Sequence, residues 1–144
     1  MTFGYRRFRL SAPFQMNPPH ILIVDDEPNI VMSLEFLMRK NGYQVGIARN
    51  GTEALAAIDQ TPYDLVLLDI MMPDVDGLQV CRQLRQRPDR AGTKVIFLSA
   101  KSREADIRKG YEVGADLYIP KPFSTRQLME KVRELLADNV ARTL

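Results

Sequence analysis

From residue 20 onward the chain alternates short unbroken apolar runs with longer stretches in which apolar residues return every three or four positions. The runs predict strands at 21–24, 43–48, 65–68 and 95–98, with a short fifth at 116–119. Pro28 opens the first helical stretch, Ile30, Leu34 and Leu37 mark its apolar face, and Gly42 lies just past its end. Asn50-Gly51 precedes a second helix carrying Ala54, Leu55 and Ile58, which stops before Pro62. Leu78, Cys81 and Leu84 define a third, ending before Pro88. A fourth, near 102–113, has a thin apolar face, chiefly Ile107 and Tyr111. The last opens on a Ser124-x-x-Gln127 capping box, carries Leu128, Val132 and Leu135, and is expected to leave only about five residues after it. Apolar strands alternating with helices are those of a parallel sheet covered on both faces, so the fold class is α/β. Gly110 lowers the helical preference of the fourth helix by about 1 kcal/mol relative to Ala, which makes that helix the expected least stable of the five.

Composition narrows the class. One domain fits 144 residues, and 45% hydrophobic with 26% charged residues is a globular balance. No apolar run approaches the roughly 20 residues of a membrane helix. Cys81 is the only cysteine, so no internal disulfide forms and cytoplasm is the expected compartment. Charge is unevenly placed: Arg6, Arg7 and Arg9 lie in residues 1–16 with no acid. The remaining 17 basic and 18 acidic groups give −1, against a broad nucleic-acid-binding face. Residues 1–19 are basic, aromatic and too broken for a secretory signal. They are expected to be a disordered extension, or to lie upstream of a true start at Met16. His20 is expected to be exposed, and Met32, Met38 and Met129 to fill the core.

In an open parallel sheet, ligands bind beyond the carboxyl ends of the strands. Asp25 and Asp26 follow the first strand, Asp69 the third, Ser99 the fourth and, one residue later, Lys121 the fifth. If the first and third strands are neighbours, three carboxylates converge and repel by roughly 4 kcal/mol per pair at 4 Å and an effective dielectric of 20. A cation would relieve them, and an all-oxygen site suits Mg²⁺. With a lysine and a hydroxyl beside them, the set fits phosphoryl transfer with Asp69 as nucleophile. Asp74 and Asp76 belong to the turn begun by Pro73, and turn or cap chemistry accounts for them.

ILIVDDEPN, the Asn-Gly before the second helix, LVLLDIMMPDVDG, VIFLSA and GADLYIPKPF, in this order and spacing, resemble the receiver domain of bacterial two-component response regulators. The resemblance covers about residues 20–138, and the domain is set at 20–140. It implies a flavodoxin-like (βα)5 doubly wound sheet of strand order 2-1-3-4-5. It makes Asp69 the phosphoacceptor, and Asp25, Asp26, Asp69 and the Met71 backbone carbonyl the ligands of Mg²⁺, with Mn²⁺ as the alternative ion. Ser99 matches the switch hydroxyl, Lys121 the phosphate-binding lysine and Tyr118 the aromatic that turns inward on activation. Lys121-Pro122 matches a peptide bond usually cis in the family. Leu117 stands where many transcription-factor receivers carry an acid of their dimer face, and Met71 and Lys101 at positions that modulate phosphoryl lifetime.

The implied activity is a switch: phosphorylation of Asp69 from a histidine kinase phosphohistidine, a shift of the surface of helix four, strand five and helix five, then autodephosphorylation. This is self-modification and not conventional turnover. The implied partners are a sensor histidine kinase or phosphotransfer protein and a downstream target or output domain, with no direct nucleic-acid binding, no membrane insertion, and a monomeric or activation-dependent dimeric state. The chain reads as a stand-alone or excised receiver. Two rivals stand beside it. A haloacid-dehalogenase-type Mg²⁺ phosphohydrolase would carry Asp-x-Asp on strand one, where this chain has Asp25-Asp26-Glu27. A phosphate-independent protein-interaction module would need none of the site.

Overall fold

A computed structural model of the chain describes residues 17–143, with side chains as far as Asp138. The expected N-terminal extension lies, through residue 16, outside the described residues. The elements are β1 (His20–Val24), α1 (Pro28–Lys40), β2 (Gln44–Ala48), α2 (Gly51–Gln60), β3 (Leu65–Leu68), α3 (Gly77–Arg85), a 3-10 turn (Pro88–Arg90), β4 (Lys94–Ser99), α4 (Glu104–Glu112), β5 (Leu117–Pro120) and α5 (Thr125–Thr143). All strands are parallel, in the order β2-β1-β3-β4-β5. The architecture is the expected doubly wound one.

The unbroken apolar runs split between two cores because successive side chains leave a strand on opposite faces. Ile21, Ile23, Leu65, Leu67, Ile96 and Leu98 meet Val31, Leu34 and Met38 of α1 and Leu128, Val132 and Leu136 of α5. Leu22, Val24, Val66, Leu68, Val95 and Phe97 meet Ala54 and Ile58 of α2 and Val80, Cys81 and Leu84 of α3. Of α4 only Gly110 is buried, which agrees with its thin apolar face. Among the described residues no helix is long and apolar enough to cross a membrane.

Several expectations change. Met32 is 66% exposed while Met38 and Met129 are buried, because the phase of α1 turns Val31, Leu34 and Met38 inward and Met32 away. Leu136, more than Leu135, seals α5. His20 is half-buried, its ring 4.6 Å from that of Tyr63 and its amide donating to Asp64 Oδ2 at 2.8 Å. Asp116 precedes β5, because its own amide donates to Val95 O and its carboxylate accepts from Val95 N and from Arg85. α5 runs on to Thr143, since residues 136–143 contain no Gly or Pro to stop a helix. The Lys121-Pro122 bond is cis.

Candidate functional site: an acidic rim with one lysine

Register brings the carboxylates together. Val24 pairs with Leu68, so Asp25 and Asp69 leave adjacent strands at the same level, and Asp69 N donates to Val24 O at 2.9 Å. Carboxylate oxygens of Asp25, Asp26 and Asp69 all lie within 4.8 Å of one another. Asp25 is 2% exposed and Asp69 6%, whereas Asp26 faces solvent. Strand alternation also selects the direction of the countercharge. Lys121 falls on the same parity as Leu117 and Ile119, on the α1/α5 side with Asp25 and Asp69. Its Nζ donates to Asp25 Oδ2 at 3.0 Å and lies 3.9 Å from Asp69 Oδ2. Glu27, which the sequence reading left without a role, adds a third acid to this ammonium, with Oε1 at 3.6 Å, and its amide fixes Asp25 Oδ1 at 2.9 Å. The Asp-Asp-Glu run was its signal.

One lysine does not neutralise the cluster. Burial raises the Asp69 carboxyl, the Lys121 charge lowers it, Asp25 raises it again, a Met71 backbone hydrogen bond lowers it and Asp26 raises it, leaving it at about 6. For Lys121, burial lowers the affinity for a proton. The hydrogen bond to Asp25 and the charges of Asp69, Asp25 and Glu27 outweigh this, and the ammonium is held above its ordinary range. A carboxyl raised to about 6 beside two other carboxylates marks a site with room for further positive charge. The donor set is all-oxygen, the kind hard divalent cations take. An open cleft of about 470 Å³, lined in part by Asp26, Met71, Pro73, Asp76 and Lys101, adjoins it, and Met71 is 55% exposed there.

Ser99 and Tyr118 sit on the opposite parity, toward α4. Ser99 is fully buried and its Oγ accepts from Lys101 N at 3.1 Å. Tyr118 points inward, its hydroxyl donating to Lys101 O at 2.7 Å and its ring 5.9 Å from that of Phe97. Burial raises its phenol, the Ser99 hydroxyl lowers it, and the Asp106 and Asp69 charges raise it further. Gly110 makes this packing possible: a Cβ there would lie 2.6 Å from Tyr118 Cδ2.

The two turn aspartates divide. Asp76 caps α3, accepting from Gln79 N at 3.0 Å. Asp74 accepts from the Val75 amide of its own turn but also reaches beyond it. Its carboxylate reaches the start of α2, accepting from Gly51 N at 3.0 Å, Thr52 N at 3.1 Å and Thr52 Oγ1 at 2.5 Å.

A family model described as the response regulator receiver domain matches residues 21–133. The chain belongs to that family. It is 44% identical over 122 residues to the transcriptional regulatory protein ResD of Bacillus subtilis, covering 85% of this chain and 50% of ResD. The chain thus spans about half the length of the curated relatives it matches. Among solved structures it resembles a CheY-like receiver domain protein from Methanospirillum hungatei, with TM-score 0.82, 32% identity and coverage of 88% of this chain and 99% of that one. The BeF3-activated DrrB receiver domain matches with TM-score 0.76 and 32% identity, over 83% of this chain and 98% of that one. Receiver domains are phosphorylation-controlled signalling switches, and this receiver has the fold and the acidic rim of one.

Proposed function

We propose that the chain is a phosphorylation-activated switch in which Asp69 accepts a phosphoryl group from the phosphohistidine of a histidine kinase or phosphotransfer protein. The observation that carries this is the convergence of three carboxylates within 4.8 Å, with the Lys121 ammonium 3.9 Å from Asp69. Receiver domains bind Mg²⁺ in an acidic pocket, and Asp25, Asp26, Asp69 and the Met71 backbone carbonyl would hold it here. The cation supplies neutralisation of the carboxylates and of the incoming phosphoryl oxygens. An Asp69 carboxylate oxygen forms the bond to phosphorus as the phosphorus–nitrogen bond to the donor imidazole breaks, and the imidazole keeps the electron pair and takes a proton. Lys121, held by Asp25, is placed to pair with the phosphoryl charge. Ser99 draws toward the phosphoryl group, and Tyr118, already turned in, holds the α4–β5–α5 surface in its output state. Water then attacks phosphorus, releasing inorganic phosphate and restoring the carboxylate.

The unit is residues 20–140, acting in the cytoplasm on a downstream protein or an output domain. A relative that is a transcriptional regulator, only half of which this chain matches, supports the second. The test is incubation with acetyl phosphate and Mg²⁺, read by intact-protein mass for wild type and Asp69→Asn. One phosphoryl group is expected on wild type and none on the variant. Labelling of the variant, or of neither, would overturn the assignment.

A further inference from the structure

We infer that Asp74 is a positioning residue for the cation and phosphoryl chemistry at Asp69, acting by fastening the β3–α3 loop to the N-terminus of α2. This rests on the phosphoacceptor reading of the acidic rim. The loop, residues 70–76, is closed at its base where Gly77 N donates to Ile70 O at 2.9 Å. Only glycine fits at that base, since a Cβ on Gly77 would lie 2.1 Å from Asp69 O. Above it the loop carries Met71, whose backbone hydrogen-bonds Asp69 and whose carbonyl is the proposed fourth cation ligand.

The far end of the loop is held by Asp74 across 22 and 23 residues of sequence, through Thr52 and Gly51. α2 does not depend on this carboxylate for its cap. Asn50 Oδ1 already accepts from Glu53 N at 2.8 Å, and Glu53 Oε1 accepts from Arg49 N at 2.9 Å. A helix end still offers further unpaired amides and a positive dipole, a fixed receiver for an anion, and the loop supplies that anion. The backbones follow: a Cβ on Gly51 would come within 2.0 Å of Val75 O. The Thr52 hydroxyl, against a smaller desolvation and with help from the Val75, Thr52 and Gly51 amides, pulls the Asp74 carboxyl down to about 2. The clamp is therefore charged at every physiological pH. Met72 and Val75 also pack on the α2/α3 core, so loss of Asp74 loosens the loop without unfolding the domain.

Calorimetric Mg²⁺ titration of the full chain, with amide exchange of 71–75 in parallel, separates positioning from capping. Asp74→Ala is expected to weaken Mg²⁺ binding about tenfold, the lower end for groups that orient metal ligands. The loss should persist in about 0.5 M salt, where the missing charge itself is screened within a few ångström. Exchange at 71–75 should accelerate. Asn50→Ala, which weakens the same helix end, should change neither. Wild type and Asp74→Ala binding within about twofold of each other, or Asn50→Ala matching the loss, would overturn the inference and leave the function intact. Failure of wild type to bind Mg²⁺ would overturn both.

Discussion

Asp69→Asn should make the domain more stable, because the fold holds this carboxylate ionised at a cost. Desolvation, with Asp25 and Asp26 adding to it against Lys121 and the Met71 hydrogen bond, moves the carboxyl from 3.8 to about 6. At about 1.4 kcal/mol per pKa unit the difference is ~3 kcal/mol. The sign follows from proton counting. Between pH 3.8 and about 6 the folded state binds more protons at this site than the unfolded chain. Stability therefore falls as pH rises through that window, and stays lower above it. Asparagine does not titrate and escapes the loss. Urea unfolding followed by far-ultraviolet circular dichroism, with divalent metal chelated, should give equal stabilities near about pH 3.5 and a variant ahead by ~3 kcal/mol near about pH 7.5. Saturating Mg²⁺ should narrow the gap, since it stabilises only the form that binds it. A difference flat with pH, or a less stable variant at neutral pH, would refute the electrostatic account of the rim.

Two further substitutions probe the neighbours of this carboxylate. Lys121→Met removes the charge that holds Asp69 down, so the Asp69 carboxyl should titrate above about 6 in a carbon NMR titration; an unmoved midpoint would show that the lysine does not govern it. Gly110→Ala should destabilise by about 1–3 kcal/mol through the clash with Tyr118, although alanine favours helix. In a Tyr118→Ala background the same change should turn stabilising by up to about 1 kcal/mol, and the same sign in both backgrounds would show that the Tyr118 ring is not the obstacle.

The strands were legible because burial on both faces makes them unbroken apolar runs, and their ends exposed Asp25, Asp69, Ser99 and Lys121 as polar residues where a strand stops. What stayed hidden depends on neighbours distant in the chain. Gly110 reads as a weak spot in a helix, and only the Tyr118 ring from the next strand makes it a requirement. Asp74 reads as a turn residue, because nothing local announces that its turn abuts the start of α2. Met32 and Leu136 were lost to helical phase, where one position rotates a side chain by about 100°.

Strand parity has an evolutionary consequence. Asp25, Asp69 and Lys121 belong to one face of the sheet and Ser99 and Tyr118 to the other, so under the proposed function the charges assigned to the chemistry and the two groups assigned to the switch rest on opposite faces. If that function holds, substitutions in α4 would reshape the output on the face away from the acids, and substitutions under α1 would tune the chemistry away from α4, while α5 packs on the face of the acids and belongs to both. Through α4 the two properties would be free to drift apart on one chain, which would let a single scaffold be rewired to new listeners while its reaction stays constant.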